Sequence, residues 1–312
     1  SERVAGTLDN LGMMLRGQGK EGKAVEACRN SLAMKEKLHG IDSEELLAVL
    51  GNLATLLRDQ EKLSEAKELF QRLINENNLS SRGVMSYDDR VTTVKTRVIG
   101  NNQQLLRVDR EDTSEINSLT EFALIERVKE IANKEKVDAI IFQDYNKGVL
   151  TKNVIRSIID FANENDIVTT VDPKKENFFT YSDVTLFKPN LKELKEGVGK
   201  RFDMPNKELF LEAVALLKEE LNPKLTFITL SEHGVFMNEG DSNHFIPAHL
   251  RIIADVSGAG DTVISVATLC LTCGLSAKII AEIANLAGGL VCEKIGVSTV
   301  DKEQLMSEVL AL

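Results

Sequence analysis

The stretch Asp138-Ala139-Ile140-Ile141-Phe142 is a short apolar run that passes, two residues later, into a polar segment, Asp144 to Lys147. Helix-period apolar spacing then covers 151–164, and a second run, Ile167-Val168-Thr169-Thr170-Val171, leads directly into Asp172 to Lys175. The alternation continues. Val184-Thr185-Leu186-Phe187 leads into Lys188 to Glu193, a helix is expected over 206–221, and Leu225-Thr226-Phe227-Ile228-Thr229-Leu230 leads into Ser231 to Gly234. Short continuous apolar strands separated by helices are what a parallel sheet covered on both faces requires. Ligands of such sheets bind where the carboxyl ends of the strands open, and the polar segments recur at that end. A loop polar only for solvation needs no such placement, so a site is expected there.

Upstream, Arg90 to Ile99 is β-branched and alternating, and Gln104-Leu105-Leu106-Arg107-Val108 follows after Gly100-Asn101-Asn102, which reads as a hairpin. Helix-period spacing covers 119–134. The first 78 residues hold none of the five prolines and read as helix throughout. They contain an internal repeat. Thr7-Leu8-Asp9-Asn10-Leu11-Gly12-Met13-Met14-Leu15-Arg16 overlies Val49-Leu50-Gly51-Asn52-Leu53-Ala54-Thr55-Leu56-Leu57-Arg58 at an offset of 42 residues. Gln18, Lys20, Ala24 and Glu26 recur as Gln60, Lys62, Ala66 and Glu68. Gly17 to Lys20 and Asp59 to Lys62 are the expected turns, and the small Ala24 and Ala66 let paired helices approach closely. A period of this length with paired amphipathic helices marks a helical-hairpin solenoid. The block resembles tetratricopeptide repeats of the longer-period kind found in kinesin light chains. Two copies are fewer than a free-standing solenoid needs, so the block is expected to lean on something else, and a protein partner is expected through it.

The 312 residues, 43% hydrophobic and 28% charged, have globular composition and make one large or two ordinary domains. A formal net charge of −10 suits a phosphate backbone poorly, so nucleic acid is not an expected partner. No apolar run approaches about eighteen residues, and Ser1-Glu2-Arg3-Val4 does not read as a signal peptide, so neither membrane nor export is expected. Cys28, Cys270, Cys273 and Cys292 suit free thiols in a reducing cytoplasm. Cys270 and Cys273 form a CxxC in an apolar run with no second pair and no nearby histidine. They read as small residues of a buried helix rather than as metal ligands.

The chemistry concentrates at Asp255-Val256-Ser257-Gly258-Ala259-Gly260-Asp261-Thr262, ahead of a long apolar helix expected over 263–273. Gly258 and Gly260 let backbone amides converge, and a helix N-terminus adds partial positive charge, so the segment suits an anion. Asp261 has two readings there. It is a cap of the helix, or it is a base beside an anion, the pair a kinase needs to take a hydroxyl proton and stabilise a transferred phosphoryl group.

The pattern Asp255-x-x-Gly258-Ala259-Gly260-Asp261 resembles the second signature of ribokinase-type (PfkB) carbohydrate kinases. Within that family the chain is most similar to the D-glycero-β-D-manno-heptose-7-phosphate kinase domain of bacterial lipopolysaccharide heptose synthesis. The similarity runs through Thr92 to Ile99, Asn102 to Asp109, Asp144-Tyr145-Asn146-Lys147-Gly148-Val149-Leu150 and Val171-Asp172-Pro173-Lys174. It continues through Lys188-Pro189-Asn190-Leu191-Lys192-Glu193 and Gly296-Val297-Ser298-Thr299-Val300. The resemblance implies a ribokinase-like three-layer α/β/α domain with a mostly parallel sheet over 79–312, behind the all-α repeat block at 1–78. It also implies ATP-dependent transfer to a phosphorylated sugar, assisted by Mg2+.

Roles carry over to matched positions only. The resemblance makes Asp261 the base and Gly258, Ala259 and Gly260 the anion hole. Asn190 and Glu193 match the family's Asn-x-x-Glu, which organises Mg2+ and the nucleotide phosphates indirectly, as suits a hard ion held through water; residues of a plain helix start are the alternative. Thr229, Ser231 and Gly234 fall on the loop that lies along the nucleotide, and Asp255 and Ser257 resemble a monovalent-cation site for K+. Lys147 would face the phosphorylated sugar, and Arg97, Gln103 and Gln104 would contact it. A solvent-exposed lysine and plain strand-surface polarity are the alternatives for these four.

The front departs from the family pattern. Members begin with a strand carrying a sugar-binding Asp, then a Gly-Gly-Ala-x-Asn turn, whereas here the only Gly-Gly pair is Gly288-Gly289, far downstream. Repeat helices stand in the leading position, with the join expected near 69–79. Two functions therefore compete. One is a cytoplasmic sugar-phosphate kinase, with a homodimer left open. The other is an interaction module whose kinase-derived body binds nucleotide without efficient turnover.

Overall fold

The computed structural model describes residues 1–40, 43, 46–76, 79–87, 90–100, 103–202, 206–249, 251–294 and 298–311. The chain divides into two compact units, Ser1–Glu111 and Asp112–Leu312.

In the first unit, α1 (Glu2–Gly17) and α2 (Glu21–His39) form one helical hairpin, and α3 (Leu47–Asp59) and α4 (Leu63–Glu76) form a second. The turns fall where the repeat puts them, and the 42-residue offset extends to backbone geometry. Gly19 at φ +71° corresponds to Glu61 at φ +60°. Lys20 N donates to Leu15 O, and Lys62 N to Leu57 O, each at 2.9 Å. Ala24, Cys28, Leu50, Leu53, Leu57 and Ala66 build the core between the helices. A Cβ on Gly12 would stand 2.4 Å from Cys28 Sγ, so glycine sets how closely α1 approaches α2. The same unit holds an antiparallel hairpin of β1 (Val94–Gly100) and β2 (Gln103–Arg110), with a register shift between Val98 and Ile99. The hairpin turn at 101–102 and, within the expected join near 69–79, residues 77–78 lie outside the described residues.

The second unit runs α5 (Ser118–Lys134), β3 (Ala139–Gln143), α6 (Lys152–Glu164), β4 (Val168–Asp172), β5 (Leu186–Phe187), α7 (Leu191–Gly197), α8 (Lys207–Leu221) and β6 (Leu225–Thr229). It continues through β7 (Val235–Glu239), β8 (Ser242–Ile246), α9 (Ala259–Thr272), α10 (Ala277–Cys292) and α11 (Lys302–Val309). Side-chain caps start several helices: Asn117 accepts from Thr120 N, Thr151 from Val154 N, and Asn206 from Leu209 N. The sheet order is β3-β4-β5-β6-β7-β8, parallel through β6 and antiparallel at β7 and β8.

Strand alternation serves two cores. Phe187, Ile228 and Phe236 face one, with Ile155 of α6 and Phe210 and Leu217 of α8. Leu186, Phe227 and Met237 face the other, with Ile264 and Ala267 of α9 and Ile280 and Ala284 of α10. On that second face Thr170 of β4 meets Thr268 of α9 at 2.8 Å, a buried hydroxyl pair. This is the expected three-layer α/β/α arrangement with a mostly parallel sheet. No described helix is long and apolar enough to cross a membrane.

Candidate active site

Strands that run parallel release their loops at one end, so the carboxyl ends of β3, β4 and β5 meet the first turn of α9. Gln143 ends β3, Asp172 ends β4, and Lys188 directly follows β5. Gln143 Nε2 donates to Asp172 Oδ2 at 3.1 Å and to Asp261 Oδ1 at 2.9 Å. Tyr145, on the loop after β3, donates its phenol to the same Asp261 oxygen at 2.9 Å. Burial and this carboxylate push the Tyr145 phenol up to about 12. Lys188 Nζ lies 3.1 Å from Asp172 Oδ2, and the two side chains are only 3% and 7% exposed.

Asp261 is the third residue of α9. Gly258, at φ +83°, turns the chain into that helix through a left-handed conformation that favours glycine. No side chain caps the helix there. The Asp261 carboxylate turns instead to residues 118 and 116 positions earlier. A Cβ on Gly260 would stand 3.6 Å from Asp172 Oδ2 and 3.8 Å from Lys188 Nζ, so the glycine-lined helix start faces the buried ion pair. The positive end of the α9 dipole and the Lys188 ammonium together suit an anion.

Lys174 extends the network, 2.6 Å from Glu193 Oε1 and 3.8 Å from Asp172 Oδ1. Burial opposes its charge, yet the bond to Glu193 and the fields of Asp172, Glu193 and Asp144 hold its pKa above the ordinary lysine value. Asn190 and Glu193 close a capping box at the start of α7. Glu193 N donates to Asn190 Oδ1 and Asn190 N to Glu193 Oε2, each at 2.8 Å. Both Glu193 oxygens are thus engaged within the protein. Asn190 also bridges to Thr229 in parallel β fashion, which sets the Asn-x-x-Glu pair beside the expected nucleotide loop. On that loop Ser231 has φ +54° and Gly234 φ +84°. A Cβ on Gly234 would stand 2.1 Å from Ile246 O, so only glycine lets the loop pass β8. Asp255 Oδ1 accepts from Ser257 N at 2.9 Å, closing the turn ahead of Gly258.

Lys147 is half-buried on the loop after β3. Asp144, buried, anchors that loop by accepting from Asn146 N at 2.7 Å and Tyr181 Oη at 2.8 Å. Gly148 fixes its far side, since a Cβ there would stand 1.8 Å from Ser114 O. Arg97 lies on β1, and Gln103 and Gln104 on β2; their side chains lie outside the described residues, as do Gly296 and Val297. Cys270 is buried in α9, but Cys273 is exposed at its end. Among the described residues no cluster of His, Cys, Asp and Glu could hold a metal ion directly.

Gln143, Tyr145, Asp172, Lys174 and Lys188 are not among the site side chains that the sequence assigns. All but Gln143 fall in the polar segments after the strands, which is the signal that could have found them.

The profile of the pfkB family carbohydrate kinases matches residues 64–304, and a tetratricopeptide repeat profile matches residues 3–75. The bifunctional protein HldE of Sulfurimonas denitrificans is 35% identical over 235 residues, which are 75% of this chain and 48% of that protein. HldE of Nitratiruptor sp. is 37% identical over 233 residues, 74% of this chain and 48% of that protein. The chain spans about half the length of the curated relatives it matches. Phosphofructokinase-2 from Escherichia coli, solved in complex with potassium, shares the fold at a TM-score of 0.67 and 18% identity, covering 80% of this chain and 79% of that one. A putative ribokinase from Agrobacterium tumefaciens shares it at a TM-score of 0.62 and 14% identity, covering 79% and 77%. The match from residue 64 to residue 304 takes in the whole six-stranded sheet and the Gly-Ala-Gly-Asp turn, and by it the chain belongs to the pfkB family of carbohydrate kinases.

Proposed function

We propose that the chain transfers the terminal phosphoryl group of ATP to a hydroxyl of a phosphorylated sugar, D-glycero-β-D-manno-heptose 7-phosphate being the substrate that its motifs favour. The observation that carries this reading is the Asp261 carboxylate, which leaves its own helix uncapped and is held from across the site by Gln143 and Tyr145. In the reaction the acceptor hydroxyl passes its proton to Asp261 as its oxygen bonds to the terminal phosphorus. The bond from that phosphorus to the bridging oxygen breaks, and ADP leaves. Gly258, Ala259 and Gly260, with the α9 dipole, stabilise charge on the group in flight. Lys188, whose Nζ would stand 3.8 Å from a Cβ placed on Gly260, adds a fixed positive charge.

The nucleotide lies along Thr229, Ser231 and Gly234. Magnesium, when bound with it, neutralises phosphate charge. Asn190 and Glu193 suit holding that ion through water, because both Glu193 oxygens already accept from protein donors. Asp255 and Ser257 are the proposed place for a monovalent cation. Lys147, Arg97, Gln103 and Gln104 are the proposed sugar-phosphate contacts. Residues 1–78 form a repeat domain offering a surface to a protein partner, and 79–312 form the kinase domain, which functions in the cytoplasm.

Asp261→Asn tests the proposal. ADP affinity measured by calorimetry should stay within about threefold, while ADP release driven by heptose 7-phosphate should fall roughly 10²- to 10⁴-fold. Equal losses of affinity and rate would make Asp261 a structural residue instead.

A further inference from the structure

Asp261 Oδ1 accepts two hydrogen bonds, from Gln143 Nε2 and Tyr145 Oη, each at 2.9 Å. Oδ2 has no hydrogen-bond partner among the described residues. The two oxygens of one carboxylate are therefore unequal, and the inequality comes from a donor pair on a single short stretch, the end of β3 and the first residues of its loop. Gln143 is itself fixed, since its amide also donates to the buried Asp172 at 3.1 Å. Tyr145 is fixed through its loop, which Asp144 and Gly148 anchor at either side.

We propose that Tyr145 and Gln143 are positioning residues that clamp Asp261 through Oδ1, so that Oδ2 is the oxygen that takes the acceptor proton. A carboxylate at the third residue of a helix is otherwise free to rotate about its side-chain bonds or to fold back toward the amides at its own helix start. Folded back, it would occupy the anion site with negative charge and point no oxygen at the acceptor. Two donors on one oxygen fix both the orientation of the carboxylate plane and which lone pairs stay available. Tyr145 is 48% exposed, so its ring borders the site and its phenol reaches in. The clamp also links the sugar side to the base. Lys147, the proposed sugar-phosphate contact, follows Tyr145 by two residues on the same anchored loop, so whatever orders that loop orders the base.

This inference rests on Asp261 being the base, and the experiment separates the two. Tyr145→Phe removes only the phenolic donor. It should lower kcat roughly ten- to a hundredfold, the range for losing a hydrogen bond to a charged group. KM for ATP and for heptose 7-phosphate should stay within about twofold. A spectroscopic signature that needs no turnover accompanies it. With ¹³C at the ζ carbon of tyrosine, the chain gives three signals, one per tyrosine, and Tyr145→Phe identifies the one that disappears. Asp261→Ala should move that signal and leave the other two in place.

An unmoved signal overturns the contact, and a Tyr145→Phe chain with unchanged kcat overturns its role in positioning. If Tyr145→Phe is neutral while Asp261→Asn abolishes transfer, the clamp fails and the base stands. If the signal moves but Asp261→Asn retains transfer, the contact stands, and both the base and the clamp's purpose fail. Where turnover is too slow to divide into kcat and KM, the single-turnover rate with saturating substrates replaces kcat, and an unchanged rate in Tyr145→Phe overturns the positioning role.

Discussion

Lys188 and Asp172 make an ion pair with water nearly excluded, and further partners of Asp172 offset part of the cost of that burial. Asp172 also accepts from Gln143 and faces Lys174, so its charge is shared between one amide donor and two ammonium groups. Removing one partner of such a pair leaves the other charge buried and under-compensated. Lys188→Met should therefore destabilise the second unit by about 3 kcal/mol, read from the urea midpoint. The double variant Asp172→Asn/Lys188→Met should recover part of that loss, and a double loss equal to the sum of the singles would show that the pair acts independently. At the neighbouring Tyr145 the sign of the pH effect is fixed. A phenol held near 12 stays protonated where free tyrosine ionises, at about 10. The neutral phenol thus favours the folded state, fully so below about pH 10, and that contribution fades as pH rises toward 12. The alkaline difference spectrum between the chain and Tyr145→Phe should place this tyrosine's ionisation above pH 11; a step near 10 would mean the contact with Asp261 is not made.

Among elements, the repeat was the most legible feature, because the 42-residue offset is written in residue types and reappears in hydrogen bonds at equal distances. Position 19 is glycine and position 61 glutamate, both in the left-handed region. A non-glycine residue there costs about 1–2 kcal/mol, part of which glycine returns in chain entropy. Glu61→Gly should stabilise the helical block by about 0.5–1 kcal/mol and Gly19→Ala should destabilise it similarly, both read from thermal melts. No effect at one turn, or effects of the same sign at both, would contradict the geometric equivalence. The parallel strands were legible too, as apolar runs punctuated by polar ends. β7 and β8 were not, because Ser231 to Gly234 already read as a site loop and β8 is a polar, half-exposed edge strand with little apolar signal. Gln143 escaped for a related reason. One amide at a strand end looks like ordinary surface until the fold brings β4 and α9 to it. The Asn190 and Glu193 pair shows the converse, since both expectations for it rest on the same atoms. It starts a helix, as its capping box demands, and stands beside Thr229 at the proposed nucleotide site.

For the molecule as a whole, the family is set by the sheet and the Gly-Ala-Gly-Asp turn, while the proposed substrate rests on sequence motifs in the loop after β3 and in the β1–β2 hairpin. The features proposed for nucleotide binding, from Lys188 to Asp261, all sit on the described six-stranded unit. Calorimetry with ADP and magnesium should accordingly give a binding isotherm below millimolar concentration. The sugar-gripping Gly-Gly-Ala-x-Asn turn of the family pattern is not found in the sequence. Positioning of two substrates is worth about 7–11 kcal/mol of barrier, and losing a third of it costs roughly a hundredfold or more in rate. Turnover should then fall below the roughly 1–100 s⁻¹ of ordinary kinases. The direct test of the central claim is ADP release by the intact chain, measured with ATP and magnesium in the presence and absence of heptose 7-phosphate. Slow release that depends on the sugar phosphate is the predicted result; no sugar-dependent release from a chain that binds ADP would contradict it.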